Sequence, residues 1–393
     1  MCNGTIMDKL ISFSIPLMLS GILQLMFNAV DIVVVGRFSG SQALAAVGST
    51  TALINVFTNL FIGISLGANV LAARYYAAGK TKEMSETVHT AIALALVSGV
   101  AMAVIGVVFA RGALEIMGTP DDVIAKSTLY MRIYFCGMPF FMMYNYGAAI
   151  LRAVGDTKRP LIFLIVSGVI NAILNLFLVI GFHLDVAGVG IATVISQLVS
   201  CILVLRCLHH TESSYQLHLA KLRIRSVYLK QIFEVGVPAG IQSTVINISN
   251  AMLQSSVNSF GSIAMAGYTA SNNIFGFLYV SVNSFTQACM SFTSQNYGVK
   301  KLKRMDRVLI DCMILSVVVT LILGSSVYIF GPELLQIYSN QADVIKYGME
   351  IFSYTTVTYF LCGLMDLFPG ALRVMGYSTV PMICTRDCSK CSK

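Results

Sequence analysis

Apolar runs near or above twenty residues recur along the chain, separated by short polar stretches. They lie at 10–35, 45–73, 88–109, 128–152, 160–182, 186–207, 232–257, 263–293, 308–330 and 347–373. A bilayer core of about 30 Å is crossed by roughly 20 helical residues. The pattern therefore predicts an all-α polytopic membrane protein with ten spanning helices, some long enough to tilt. An eleventh run starts at Thr379 and stops almost at once.

The runs repeat at a constant offset of 221 residues. Gly40 meets Gly261, Ala43 meets Ala264, Tyr76 meets Tyr297 and Lys80 meets Lys301. Asp122-Val123-Ile124 meets Asp343-Val344-Ile345, Leu151-Arg152 meets Leu372-Arg373, Gly155 meets Gly376 and Pro160 meets Pro381. One offset held through separate stretches marks two copies of one unit, and such repeats in a membrane chain point to transporters. A complete copy has six spans. That number is even, so both copies keep the same orientation, related by an axis along the membrane normal.

The expected organisation is an N-terminal lobe at 1–208, a cytoplasmic linker at 209–230 and a second lobe at 231–393, the lobes facing each other across a central cavity. The stretch after Pro381 does not resemble the one after Pro160. It reads as a truncation that leaves the second lobe without its last two helices. Cys384, Cys388 and Cys391 lie in that tail without a histidine or a fourth cysteine at ligand spacing, so no metal site is expected there.

Composition agrees with the membrane reading. The chain is 56% hydrophobic and 11% charged, too little charge to cover a soluble surface. Of the 26 basic residues, 21 fall on one side of the ten-span topology. The positive-inside rule places that side, with the N-terminus, in the cytoplasm of a cell that carries the chain in its plasma membrane. The net charge of +8 comes from these loops and gives no reason to propose a nucleic-acid partner. The chain is read as a monomer. The ten cysteines are scattered, mostly inside apolar runs, and do not read as a disulfide framework.

Polar side chains at membrane depth must be satisfied or face water, so their positions carry information. Ser243, Asn247, Asn250, Gln254 and Asn258 share one face of the seventh span. Asn272, Tyr279 and Asn283 recur at similar spacing in the eighth, and Thr51 and Asn55 stand at matching places in the second. Asn171 and Asn175 continue the amide set in the fifth span, and Asn145 lies in the fourth. These residues are candidates for a wet, substrate-lining face; helix packing through amide hydrogen bonds is the structural alternative. Two acids lie well inside apolar runs, Asp31 and Asp366. An ionised carboxylate there costs several kcal/mol unless it is paired, hydrated or protonated. Asp31, with Asn28 one turn before it, is the candidate for binding a proton or cation. Asp366 matches Asn145 of the first copy and precedes Arg373, so a structural role and a transport role stand side by side. Pro16, Pro139, Pro238 and Pro369 fall within spans and are expected to kink them.

Taken together, the residues resemble the MATE (multidrug and toxic compound extrusion) transporters from Leu10 to Pro381. The features that carry the resemblance are Val30-Asp31-Ile32-Val33-Val34-Val35-Gly36, Gln295-Asn296-Tyr297-Gly298, and the paired Leu151-Arg152-Ala153-Val154-Gly155-Asp156 and Leu372-Arg373-Val374-Met375-Gly376. The resemblance implies a two-lobed antiporter that exports cationic or amphipathic compounds against inward Na⁺ or H⁺. On this resemblance no other cofactor is expected, and Asp31 matches the first-helix aspartate that the family uses in coupling. Some members carry a glutamate in the seventh span or an aspartate earlier in the tenth. Here those neighbourhoods read Val245-Ile246-Asn247 and Cys362, so the second lobe inherits no ion site from the resemblance. The alternatives are a flippase for lipid-linked saccharides of the same superfamily, disfavoured by the scarcity of basic residues in the spans, and a non-functional fragment. A membrane-embedded enzyme would need acids, histidine or a nucleophile clustered at depth; none of the five histidines lies mid-span.

Overall fold

The computed structural model describes residues 1–258, 260–338 and 340–391; the side chains at 41, 44, 52, 251, 254, 255, 258, 262 and 386–391 lie outside the described set. Among the described residues every regular element is helical. In chain order these are α1 (Met7–Phe38), α2 (Ser41–Ala77), α3 (Thr81–Ile116), α4 (Asp121–Cys136), α5 (Met138–Val154), α6 (Lys158–Leu176) and α7 (Asp185–His209). They continue with α8 (Ser226–Asn258), α9 (Ser262–Gly298), α10 (Leu302–Ile329), α11 (Gly331–Gln336), α12 (Ala342–Thr358), α13 (Phe360–Val374) and α14 (Thr379–Cys391).

Every predicted span coincides with one of these helices or with a broken pair. Among the described residues six helices are long and apolar enough to cross a bilayer by length and composition, and the pair α12–α13, bent by 47°, makes a seventh when counted as one span. The other three predicted spans fall on α4–α5, α8 and α9. Charged residues at the start of α4, and amides and hydroxyls along α8 and α9, make these the more polar members. The expected proline kinks divide. Pro139 follows a real break at Gly137, where it sits in the first turn of α5 and needs no intrahelical partner. α1 and α8 run unbroken through Pro16 and Pro238, and α13 through Pro369.

The 221-residue offset is written into the backbone. Gly40 and Gly261 precede α2 and α9 with φ of 85° and 96°, and Gly155 and Gly376 follow α5 and α13 with φ of 102° and 98°. Side chains avoid this left-handed region, so glycine at both copies of each turn is a conformational requirement. The third pair is Gly79 and Lys300, at 68° and 58°.

The chain forms two compact units, one made of residues 1–22 and 241–393, the other of residues 23–240. They are not divided where the repeat is divided, because α1 and α8 each contribute to both. In the first unit the leading half of α1 buries Leu10, Phe13 and Leu17 among Ala288, Phe292, Val308, Cys312 and Leu367. Phe13 meets the edge of Phe292 at 5.5 Å.

In the second unit the leading half of α8 lies on α2 through a seam of glycines, with Gly63 and Gly67 on one side and Gly236 and Gly240 on the other. A Cβ at Gly63 would stand 2.4 Å from the Gly240 Cα, and one at Gly67 would stand 2.2 Å from the Ile232 carbonyl oxygen. Small residues four apart let two helix backbones touch, which is how helices associate where lipid removes the hydrophobic drive.

Candidate functional site

The candidate coupling site lies in the second unit, where the later half of α1 crosses α6. Gly168 on α6 makes the crossing possible. A Cβ there would fall 1.9 Å from ring carbons of Phe27. One turn beyond Phe27 on α1 is Asp31; one and two turns beyond Gly168 on α6 are Asn171 and Asn175. The close approach brings these three together. Asn175 Nδ2 donates to the Asp31 carboxylate and lies 3.2 Å from Asn171 Oδ1. Asn171 and Asn175 are buried, at 5% and 0% exposure. Asp31 is half-buried. Just past Asn175 the helix loosens into a π-helical turn, Phe177–Gly181, a distortion that recurs at functional sites.

The electrostatics of the site are one-sided. Among the described residues no basic nitrogen comes within ion-pair distance of Asp31. Its charge bears on Tyr130 and Tyr134 of α4. Asn175 Oδ1 is buried and has no hydrogen-bond partner among the described residues, a costly state for an acceptor. The site thus offers a carboxylate, an orphaned amide oxygen and a second amide oxygen, all hard donors of the kind that hold alkali or alkaline-earth cations or share a proton. Gly168→Leu is expected to push α1 off α6 and part Asp31 from Asn175. Gradient-driven transport should fall about tenfold or more, as misplacement by an ångström can cost more than that. Transport by folded Gly168→Leu protein at the wild-type rate would contradict this geometry.

The other sequence candidates are placed as follows. Asn28 is exposed and makes no described hydrogen bond to Asp31. Thr51 and Asn55 on α2 are exposed; the Thr51 hydroxyl turns back to the Val47 carbonyl at 2.9 Å. Asn145 is half-buried and donates to the Phe141 carbonyl of its own helix at 2.8 Å.

The remaining candidates belong to the first unit. Ser243 and Asn247 are half-buried and Asn250 is exposed, while the side chains of Gln254 and Asn258 lie outside the described residues. Asn272 and Tyr279 on α9 are exposed, with open space beside Gly276 between them. Asn283 is half-buried and accepts from Gln287 at 2.6 Å.

Asp366 on α13 differs from Asp31 in having a cation nearby. Arg373 is buried at 8% exposure, two turns further along the same helix, where its side chain leans back toward the helix N-terminus. It interacts electrostatically with Asp366 and Tyr279. Its Nη2 donates to Gln242 Oε1, while its Nε has no partner among the described residues. Sequence reasoning passed over Gln242, Tyr130, Tyr134 and the Phe27–Gly168 contact. A tyrosine or glutamine in an apolar run carries no local sign of the partner it meets from another helix.

The sequence matches the MatE family over residues 16–177 and 238–388. A probable multidrug resistance protein of Bacillus subtilis, YoeA, is 29% identical over 378 residues, which is 94% of this chain and 82% of that protein. The multidrug export protein MepA of Staphylococcus saprophyticus is 23% identical over 379 residues, 95% of this chain and 83% of its own length. In three dimensions the chain superimposes with a TM-score of 0.90 on the crystal structure of a variant of the Vibrio cholerae MATE transporter VcmN. That superposition has 19% identity and covers 97% of this chain and 86% of that one. The family match spans most of both units, and the solved transporter shares the helical fold over the superimposed residues: the chain is a multi-pass membrane protein belonging to the MatE family of transporters.

Proposed function

We propose that the protein exports cationic and amphipathic small molecules, driven by inward movement of Na⁺ or H⁺ through the site at Asp31, with its N-terminus in the cytoplasm. The observation that carries this reading is the pairing of Asp31 with Asn175. Among the described residues, a carboxylate with no basic partner stands beside a buried amide oxygen with no donor, and one monovalent cation or one proton would satisfy both. The donor set holds a single negative charge, which suits a monovalent ion better than a divalent one. The family's relatives named for multidrug export and resistance support the substrate class. The exposed amides and aromatic ring of α9, together with Asp366, offer hydrogen-bonding and acidic groups of the kind a hydrated organic cation would meet.

The test is ethidium transport in proteoliposomes under an imposed Na⁺ gradient or an imposed pH gradient. One of the two gradients is expected to drive accumulation at least about tenfold above the ungraded control, since a tenfold ion gradient supplies about 1.4 kcal/mol. Accumulation that is indifferent to both gradients would remove the coupling role of the site.

A further inference from the structure

The polar segment between α7 and α8 is docked against α3. Leu217 is buried, and its N–H donates to the Leu208 carbonyl at 3.0 Å. The His218 N–H donates to Nε2 of His89 at 3.1 Å, and the two imidazoles stack with centroids 6.2 Å apart. The Arg225 N–H donates to Thr90 Oγ1 at 3.3 Å, and the guanidiniums of Arg225 and Arg223 reach the Glu86 carboxylate at 3.0 and 3.2 Å. The segment crosses the first turns of α3, and α8 begins where it ends. Next along α8, Tyr228 packs edge-on against Tyr75, whose hydroxyl donates to Gln231 Oε1 at 2.8 Å. The glycine seam with α2 follows.

His89 is nearly buried, at 3% exposure. Its Nδ1 lies 2.6 Å from the Ser85 carbonyl oxygen. A carbonyl can only accept, so Nδ1 carries the ring proton and Nε2 keeps the lone pair that the His218 N–H requires. The docked segment therefore demands a neutral ring in one tautomer. A second proton would set N–H against N–H and remove the acceptor.

We propose that residues 217–225 form an acid-released strap with His89 as its proton sensor, and that the docked strap holds the leading half of α8 on α2. The titratable and charged groups around the contact are Glu86 on α3, His218, Lys221, Arg223 and Arg225 on the strap, and His209 at the end of α7. Glu86, the one acid among them, is already engaged by both guanidiniums. His218 is pushed below the ordinary imidazole range by partial burial first, then by Lys221, His89 and His209, so the surroundings resist further positive charge. The sign follows directly. A proton on Nε2 and the hydrogen bond from the His218 N–H exclude each other, so added acid favours the undocked strap.

Trypsin reads the strap without any transport assay, because Lys221, Arg223 and Arg225 are cleavage sites within it. Lys300 in the α9–α10 turn and Lys303 in the first turn of α10, both exposed, serve as the internal reference for the enzyme's own pH dependence. In the full-length protein in nanodiscs, strap cleavage relative to that turn is expected to rise about tenfold between pH 8 and pH 6, the scale of one lost buried hydrogen bond. His89→Gln keeps an acceptor that does not titrate, and its ratio is expected to stay flat and low. A wild-type ratio that does not change with pH overturns the proposal. So does an undiminished rise in folded His89→Gln, which would place the sensor elsewhere.

Discussion

Asp31→Asn protein is expected to insert and fold like the wild type and to lose gradient-driven efflux. The substitution keeps shape and hydrogen-bonding capacity, so Asn175 still finds an oxygen to which it can donate. What disappears is the charge. Asp31 supplies the only carboxylate in a donor set otherwise made of Asn171 and Asn175. Charge-assisted contacts are worth about 1.5–3 kcal/mol each, and each 1.4 kcal/mol is a factor of about ten. Replacing the carboxylate by a neutral amide should therefore lower coupled ethidium efflux by about 100-fold. Passive binding of a lipophilic cation elsewhere on the protein should be little changed. The measurement is ethidium efflux from energised cells at matched expression, with melting temperature as the folding check. Wild-type efflux by the folded variant would disprove a coupling role for Asp31.

The second large effect is structural. Gly67→Leu is expected to break the α2–α8 seam, because even its Cβ would stand 2.2 Å from a backbone oxygen that cannot step aside. Overpacking of a closed contact costs about 1–3 kcal/mol and more where backbone must move. For a unit of this size each kcal/mol shifts the midpoint by about 2–4 °C. The purified variant should melt on the order of 5–10 °C lower. Gly112→Ala supplies the contrast. Gly112 is also helical, but nothing lies within 4 Å of its would-be Cβ. Alanine there removes glycine's helix penalty and meets no neighbour, so stability should hold or rise slightly. Equal melting temperatures for Gly67→Leu and wild type would show that the seam does not close as described.

These two sites also show what the sequence could and could not reveal. The helices were legible because lipid imposes a length and an apolar content on every span. The repeat was legible because Gly40, Gly155 and their partners at Gly261 and Gly376 hold a backbone geometry that few other residues adopt. Asp31 stood out because an acid at membrane depth is costly. Its partner was less visible. Asn175 is one of many intramembrane amides, and the bond between them joins residues 144 positions apart. The seam was hidden for a similar reason. Gly63, Gly67, Gly236 and Gly240 are spaced for close packing, but spacing does not say which helix lies opposite. The strap was hidden most completely. A polar, basic segment with no apolar run has the composition of a solvated linker, and only the fold shows that Glu86, His89 and Thr90 give its backbone and its arginines somewhere to bind.

The division of α1 between the two units has a consequence for how the protein is made. Leu10, Phe13 and Leu17 are synthesised well before the partners that bury them, which run from Ala288 to Leu367. At about 5–20 residues per second, synthesis of the intervening chain takes roughly a quarter of a minute to a minute. During that time half of the first helix waits in the bilayer unmated, while its other half joins a unit that is complete at residue 240, before any of those partners is made. Closing so long a loop adds little equilibrium cost, since the entropy grows only logarithmically with length. The exposure is one of time, and a translational pause anywhere between those residues prolongs it.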